Sequence, residues 1–131
     1  MPSLCYREGP PANPFFFQNS FQDVNWLLLI IAGLFETAFA TCLGKANESS
    51  GSAAAWWLSG FFVCLIASMA LLYKAAQTLP IGTAYAVWTG IGATGTVLVG
   101  IIVFKEPYDF WRIVFLTGLV GCIIGLKAVS H

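Results

Sequence analysis

The chain has 131 residues, of which 58% are hydrophobic and 9% are charged, and its formal net charge is zero. Soluble domains carry about 25% charged residues, so this composition excludes an ordinary soluble protein and indicates a small integral membrane protein with a mean hydropathy of +0.79. The zero net charge argues against a nucleic-acid partner. The sequence has no nucleophile–base pair, phosphate-binding loop or Cys/His metal spacing, so neither an enzyme nor a cofactor is expected.

The first 24 residues differ in composition from the rest of the chain. Their four prolines, at positions 2, 10, 11 and 14, argue against a continuous helix, and they lack the uninterrupted apolar stretch of a signal peptide. We predict that residues 1–24 form a flexible extension whose three phenylalanines at 15–17 touch the membrane surface, and that residues 25–131 form the membrane domain. A start codon assigned too far upstream explains the segment equally well.

The first membrane span is predicted at residues 26–45, WLLLIIAGLFETAFATCLGK, which is about the length of one bilayer-spanning helix. Glu36 lies ten residues after Trp26 and nine before Lys45, so at about 1.5 Å per residue it falls near the bilayer centre. A charged acid there costs about 2.5–3.5 kcal/mol on insertion scales. Glu36 is therefore predicted to be functional, in a transporter or a proton relay. The alternatives are a structural acid hydrogen-bonded between helices, or a cytoplasmic signal-like segment that never inserts into the membrane.

Three further spans are predicted at residues 53–73, 81–104 and 110–129, which gives an all-α membrane protein with four transmembrane helices. In the third span, the segment Gly90-Ile91-Gly92 is the expected site of a bend. The fourth span carries a GxxxG pair, a pattern that permits close helix contact. We predict a dimer seam at this glycine face, formed by Gly118, Gly121 and Gly125.

The positive charges at the ends of the four spans balance across the membrane. The N-terminal tail, the second loop and the C-terminus carry Arg7, Lys74 and Lys127. The first and third loops, on the opposite side, carry Lys45, Lys105 and Arg112. With three charges against three, the positive-inside rule sets no preferred orientation. The chain is therefore hypothesised to insert both ways and to pair with a second copy as an antiparallel homodimer.

Three stretches together resemble the small multidrug resistance transporters. They are AGLFETAFA at residues 32–40, LPIGTAYAVWTGIGATGTVLVGIIVFKEP at residues 79–107, and the glycine-patterned last helix. The WTGIGATG and FKEP pieces resemble the guanidinium-exporter subtype, and the resemblance extends over about residues 26–130. It implies a four-helix, antiparallel, dual-topology homodimer in the bacterial plasma membrane. It also implies export of guanidinium or small guanidinyl cations in exchange for protons.

The resemblance also implies roles for individual residues. Glu36 matches the family's shared proton- and substrate-binding carboxylate. Gly33 matches the small residue one turn before the acid, and Ser68 matches a polar residue that hydrogen-bonds the acid. Tyr85 and Trp88 match the aromatic pair of the third helix, which would line the substrate pocket because aromatic faces attract cations.

Phe39, one turn after the acid, departs from the guanidinium subtype, which usually has Trp there. Phe keeps an aromatic face but lacks the indole N–H donor, so an alternative function is proton-coupled export of quaternary ammonium or hydrophobic cations. In a second departure, Gly44 occupies the position at which the family usually has a basic residue. This departure affects only the geometry of the loop, because the next residue is Lys45. A third possibility is a membrane subunit without transport activity, whose Glu36 pairs with a basic residue of a partner.

Two Glu36 carboxylates in a dimer would face one site, where burial and like charge both disfavour the ionised form. Protons and a cation then compete for the same groups, and this competition is sufficient to couple their movements. Guanidinium is planar and donates two parallel hydrogen bonds to a carboxylate, so it suits such a pair. The small residues Gly33 and Ala40 flank Glu36, and they either leave room for this ligand or serve close helix packing.

Overall fold

The computed structural model describes residues 14–129, with side chains described from residue 22 onwards. This part of the chain forms four helices. They are α1 (Pro14–Glu48), α2 (Ser52–Ala76), α3 (Ile81–Ile102) and α4 (Phe110–Val129). Each contains a stretch long and apolar enough to cross a membrane, which in α1 is Gln22–Glu48. The expectation of an all-α protein with four spans is therefore confirmed.

The helix boundaries agree with the sequence prediction except at the start of α1. This helix begins at Pro14, twelve residues before Trp26. Proline is favoured at the first helical position, since its missing N–H would have no intrahelical acceptor there. Residues 14–24 thus have helical backbone where flexible chain was expected. Residues 1–13 lie outside the described part of the chain, and the division into an extension and a membrane domain stays a prediction.

Helix α1 is the centre of the arrangement, because it packs along both α2 and α3. The contacts show that α1 and α2 run antiparallel, whereas α1 and α3 run parallel. The buried apolar cluster lies near the middle of α1, at Trp26, Leu29 and Ala32. The members contributed by the other segments are Leu72, Ala75, Leu79, Ala84, Val87 and Trp88. Glu36 lies one helical turn after Ala32, the last α1 member of this cluster.

Gly90 and Gly92 of α3 are sites of close approach between helices. The structure is α-helical throughout Ile81–Ile102, and a bend at residues 90–92 stays a prediction. A Cβ atom at Gly90 would collide with the side chain of Ile123 from α4, and one at Gly92 would collide with the carboxyl group of Glu36. Neighbouring side chains therefore occupy the space that these glycines leave.

Helix α4 packs mainly against α3, and its Lys127 lies over the ring of Trp26 from α1 at 5.4 Å. Within the described helix Phe110–Val129, no residue is buried. Cβ atoms at Gly118, Gly121 and Gly125 would meet no atom within 4 Å. The glycine face is thus uncovered in the single chain, and its role as a dimer seam stays a prediction.

The first and third loops form a polar end of the bundle. Loop one contains Gly51 at φ 63°, a left-handed conformation that favours glycine. The side chains here form two ion pairs, Lys45–Glu48 at 2.9 Å and Arg112–Glu106 at 2.8 Å. Exposed pairs of this kind contribute little to stability, so they mark the aqueous end of the spans and do not hold the helices together.

Candidate functional site

The carboxyl group of Glu36 lies in a niche between α1 and α3. Its Oε2 atom is buried and has no hydrogen-bond partner among the described residues. A Cβ atom at Gly92 would collide with Oε2 and would lie 2.6 Å from Cγ of Glu36. Only glycine at position 92 therefore leaves room for this carboxyl group. A buried acceptor without a donor costs about 1–3 kcal/mol, and more when it is charged, so the niche favours a bound proton or a ligand with N–H donors.

Gly33 brings α1 close to α3 one turn before the acid. A Cβ atom there would lie 2.7 Å from Cγ2 of Ile91 and 3.3 Å from the carbonyl oxygen of Trp88. Gly33 therefore serves helix packing and leaves no room for a ligand beside itself. Ala40, on the other flank of Glu36, lines a cavity of about 220 Å³ between α1 and α3. Of the two interpretations of these small residues, packing applies to Gly33 and open space to Ala40.

Thr37 and Gly95 belong to the same helix contact, although neither was predicted from the sequence as a site residue. The Thr37 hydroxyl lies 3.3 Å from the carbonyl oxygen of Gly33 and 3.4 Å from that of Gly92. A Cβ atom at Gly95 would collide with the Thr37 hydroxyl oxygen. The signal in the sequence was the three-residue spacing of Gly92 and Gly95, which places both on one face of α3.

Ser68 and Trp88 form a hydrogen-bonded link across three helices. Ser68 of α2 is fully buried and donates its hydroxyl hydrogen to the Ala32 carbonyl of α1 at 2.8 Å. The same hydroxyl oxygen accepts the indole N–H of Trp88 at 3.0 Å. Because a serine has one hydroxyl hydrogen, Ser68 does not donate to Glu36 in this arrangement, contrary to what the resemblance implied. Ser68 and Trp88 instead fix the three helices around the acid.

The two remaining predicted pocket residues, Tyr85 of α3 and Phe39 of α1, do not lie close to each other in the single chain. The Tyr85 ring lies 5.2 Å from that of Trp88, centroid to centroid, and Tyr85 is 55% exposed. The Phe39 ring meets Phe61 of α2 edge-on at 5.7 Å. The single chain thus brings Gly33, Glu36 and the Trp88 backbone together at the α1–α3 contact, whereas Phe39 packs towards α2. Their roles towards a substrate stay predictions.

The Ser68 link leads to a stability prediction. Ser68→Ala leaves the indole N–H of Trp88 and the Ala32 carbonyl without their partner, so we expect a loss of about 1–3 kcal/mol in the free energy of unfolding. Unfolding in mixed micelles, followed by tryptophan fluorescence, measures it. Ser59→Ala is the matched control on the same helix, because exposed Ser59 bonds only its own helix at 2.9 Å. Equal stability of the two variants would contradict the role of the link.

Comparison with known proteins shows which family the chain belongs to. Residues 24–119 match the family described as Small Multidrug Resistance protein. The chain is 41% identical over 107 residues to the probable guanidinium efflux system subunit GdnD of Bacillus licheniformis, an alignment that covers 82% of this chain and 100% of the relative. It is also 41% identical over 108 residues to the guanidinium exporter of Escherichia coli strain K12, again covering 82% and 100%. The chain therefore belongs to the small multidrug resistance family and is a multi-pass bacterial membrane transporter.

Proposed function

We propose that this chain is a proton-coupled antiporter that exports guanidinium or small guanidinyl cations. The observation that carries the proposal is the buried, donor-free Oε2 of Glu36 inside the first span. Relatives 41% identical to the chain are named guanidinium exporter or guanidinium efflux subunit, which supports this choice of cation. A guanidinium ion offers parallel N–H donors with the geometry that a carboxylate accepts.

The coupling between cation export and proton uptake follows from the free-energy cost of a Glu36 carboxylate that binds neither a proton nor a cation. An unpaired charge in the interior of a membrane protein is expensive, so the group is stable when a proton or a cation neutralises it. If only neutralised sites reorient across the membrane, each cation carried one way is exchanged for protons carried the other way.

A second copy of the chain would complete the site. The glycine face of α4 is uncovered and Tyr85 is half exposed, so the monomer leaves apolar and aromatic surface without a protein partner. The balance of three positive charges at each end of the spans favours an antiparallel pair. Two Glu36 carboxylates would then share one pathway. The name of the Bacillus relative contains the word subunit, so the alternative is a pair with a second, different chain.

The role of the Glu36 carboxylate is tested by removing its charge. Glu36→Gln keeps the shape of the side chain but cannot bind a proton or balance a cation, so guanidinium-driven proton flux in liposomes should fall to the level of protein-free vesicles. The variant should remain folded and should elute at the same volume as the wild type in size-exclusion chromatography. Asp109→Asn, which removes an exposed carboxylate of the third loop, should transport normally. Near wild-type flux by Glu36→Gln would refute the proposed role.

Topology is tested by labelling single cysteines in a background that lacks the four native ones. Gln77 in the second loop and Tyr108 in the third are exposed, and they lie on opposite sides of the membrane. With dual topology, an impermeant maleimide should label about half of the molecules at each position from outside. Complete labelling at one position and none at the other would contradict the antiparallel homodimer and direct the search to an oppositely oriented partner chain.

Selectivity depends on the missing indole. The Phe39 ring already packs on Phe61, so Phe39→Trp should keep an aromatic contact and add an N–H donor one helical turn after Glu36. A hydrogen bond to a charged group is worth about 1.5–3 kcal/mol. If the new donor reaches the carboxylate, the ratio of phenylguanidinium to guanidinium flux should fall roughly 10- to 100-fold. Phe62→Trp, at an exposed neighbouring position, should leave the ratio unchanged.

The same assay tests the alternative substrate class. Phe39, Phe61 and Phe62 form consecutive edge-on ring contacts of 5.7 and 5.2 Å, an apolar surface that would suit a hydrophobic cation. Tetraalkylammonium flux in the wild type that exceeds guanidinium flux would replace the proposed substrate with this class. An unchanged flux ratio in Phe39→Trp would show that position 39 does not set selectivity.

A further inference from the structure

We infer that Thr37 is a positioning residue for Glu36, whose hydroxyl bridges α1 to α3 and holds the carboxyl group in its niche at Gly92. The bridge has two acceptors, since the hydroxyl lies 3.3 Å from the Gly33 carbonyl of its own helix and 3.4 Å from the Gly92 carbonyl of α3. Gly92 is also the residue against which the Glu36 carboxyl group lies. One residue of α3 thus contacts two consecutive side chains of α1.

Other threonines show that this arrangement is particular to position 37. The hydroxyls of Thr41, Thr94 and Thr117 donate to the carbonyl four residues earlier in their own helices, at 2.7, 2.8 and 2.9 Å. The Thr37 distance to its own helix is longer, and the second acceptor lies on another helix. A single hydroxyl hydrogen shared between two carbonyls accounts for both lengths.

Fixing Thr37 also fixes the rotation of α1. Consecutive side chains of a helix are about 100° apart, so residues 36 and 37 both reach α3 only when the helix contact lies between them. Gly95 closes the other side, because a Cβ atom there would lie 3.0 Å from Cγ2 of Thr37 and would collide with its hydroxyl oxygen. The threonine is therefore held between Gly92 and Gly95, and the carboxyl group beside it is directed into the niche.

The two acceptors also allow the bridge to open. If α1 and α3 separate, the hydroxyl keeps the Gly33 carbonyl as its acceptor, so no polar hydrogen loses its partner. This consequence rests on the proposed function, since it matters only to a carrier whose helices move around a bound cation. The placement of the carboxyl group can be tested without any transport substrate.

The test is the rate at which a hydrophobic carbodiimide modifies Glu36 in the full chain at fixed pH, read by mass spectrometry of the Glu36 peptide. Thr37→Val removes the hydroxyl at constant shape, so the carboxyl group should leave the niche more often and its modification should be roughly three- to tenfold faster. Thr37→Ser keeps the hydroxyl and should react at the wild-type rate. Glu36→Gln provides the blank.

Two further variants make the result decisive. Thr94→Val is the same substitution at a threonine that bonds only its own helix, and it should react like the wild type. Gly95→Ala displaces Thr37 from the opposite helix and should reproduce the faster reaction, which decides the question even if Thr37→Val does not fold. An unchanged or slower reaction in the folded variants, or Thr37→Ser reacting as fast as Thr37→Val, would overturn the inference.

Guanidinium flux measured on the same samples separates this inference from the proposed function. Both are supported if flux falls in Thr37→Val and recovers in Thr37→Ser. If the wild type does not move guanidinium but Glu36 is modified faster in Thr37→Val and Gly95→Ala than in the wild type, the proposed substrate is refuted and the positioning role is supported. A wild type that transports guanidinium, with no change of modification rate in Thr37→Val and Gly95→Ala, would refute the positioning role alone.

Discussion

The structure depends on the close approach of α1 and α3 around one carboxyl group. Glu36 reaches its niche only because position 92 has no side chain, and Gly33 and Gly95 allow the two helices to approach on either side of it. In a membrane the hydrophobic effect does not drive helices together, so small residues and interhelical hydrogen bonds are needed for association. Here the three glycines are the small residues, and the Thr37 hydroxyl provides the interhelical hydrogen bond.

The second support is the link from Trp88 through Ser68 to the Ala32 carbonyl. It joins three helices at a fully buried hydroxyl, where an unbonded polar group would be costly. The link uses the Ser68 hydroxyl hydrogen, which the family resemblance assigned to the acid. The consequence is that Glu36 keeps an oxygen without a donor inside the chain, and this is the feature that a proton or a cationic ligand can satisfy.

Helix α4 has a different role from the other three. It adds no buried residue to the bundle, and its glycine face is open. The link and the niche therefore lie in α1–α3, while α4 offers the surface on which the proposed second copy would pack. A chain of 131 residues thus holds a polar site within three helices and leaves the surface of the fourth free for the proposed partner.

The sequence by itself determined the four spans, the mid-membrane position of Glu36 and the family. Length, hydropathy and a single acid among apolar residues are local properties, and they do not depend on how helices pack. It misjudged the start of α1, because Pro14 can begin a helix as readily as it can interrupt one. Only the structure shows which small residues pack against another helix and which leave space. Gly33 and Ala40 both lie about one helical turn from Glu36. However, Gly33 faces Ile91 of α3, whereas Ala40 lines a cavity. It also decided the acceptor of Ser68 and the bridging position of Thr37, since a hydroxyl's partner on another helix depends on the register between helices, which the sequence of either helix does not specify.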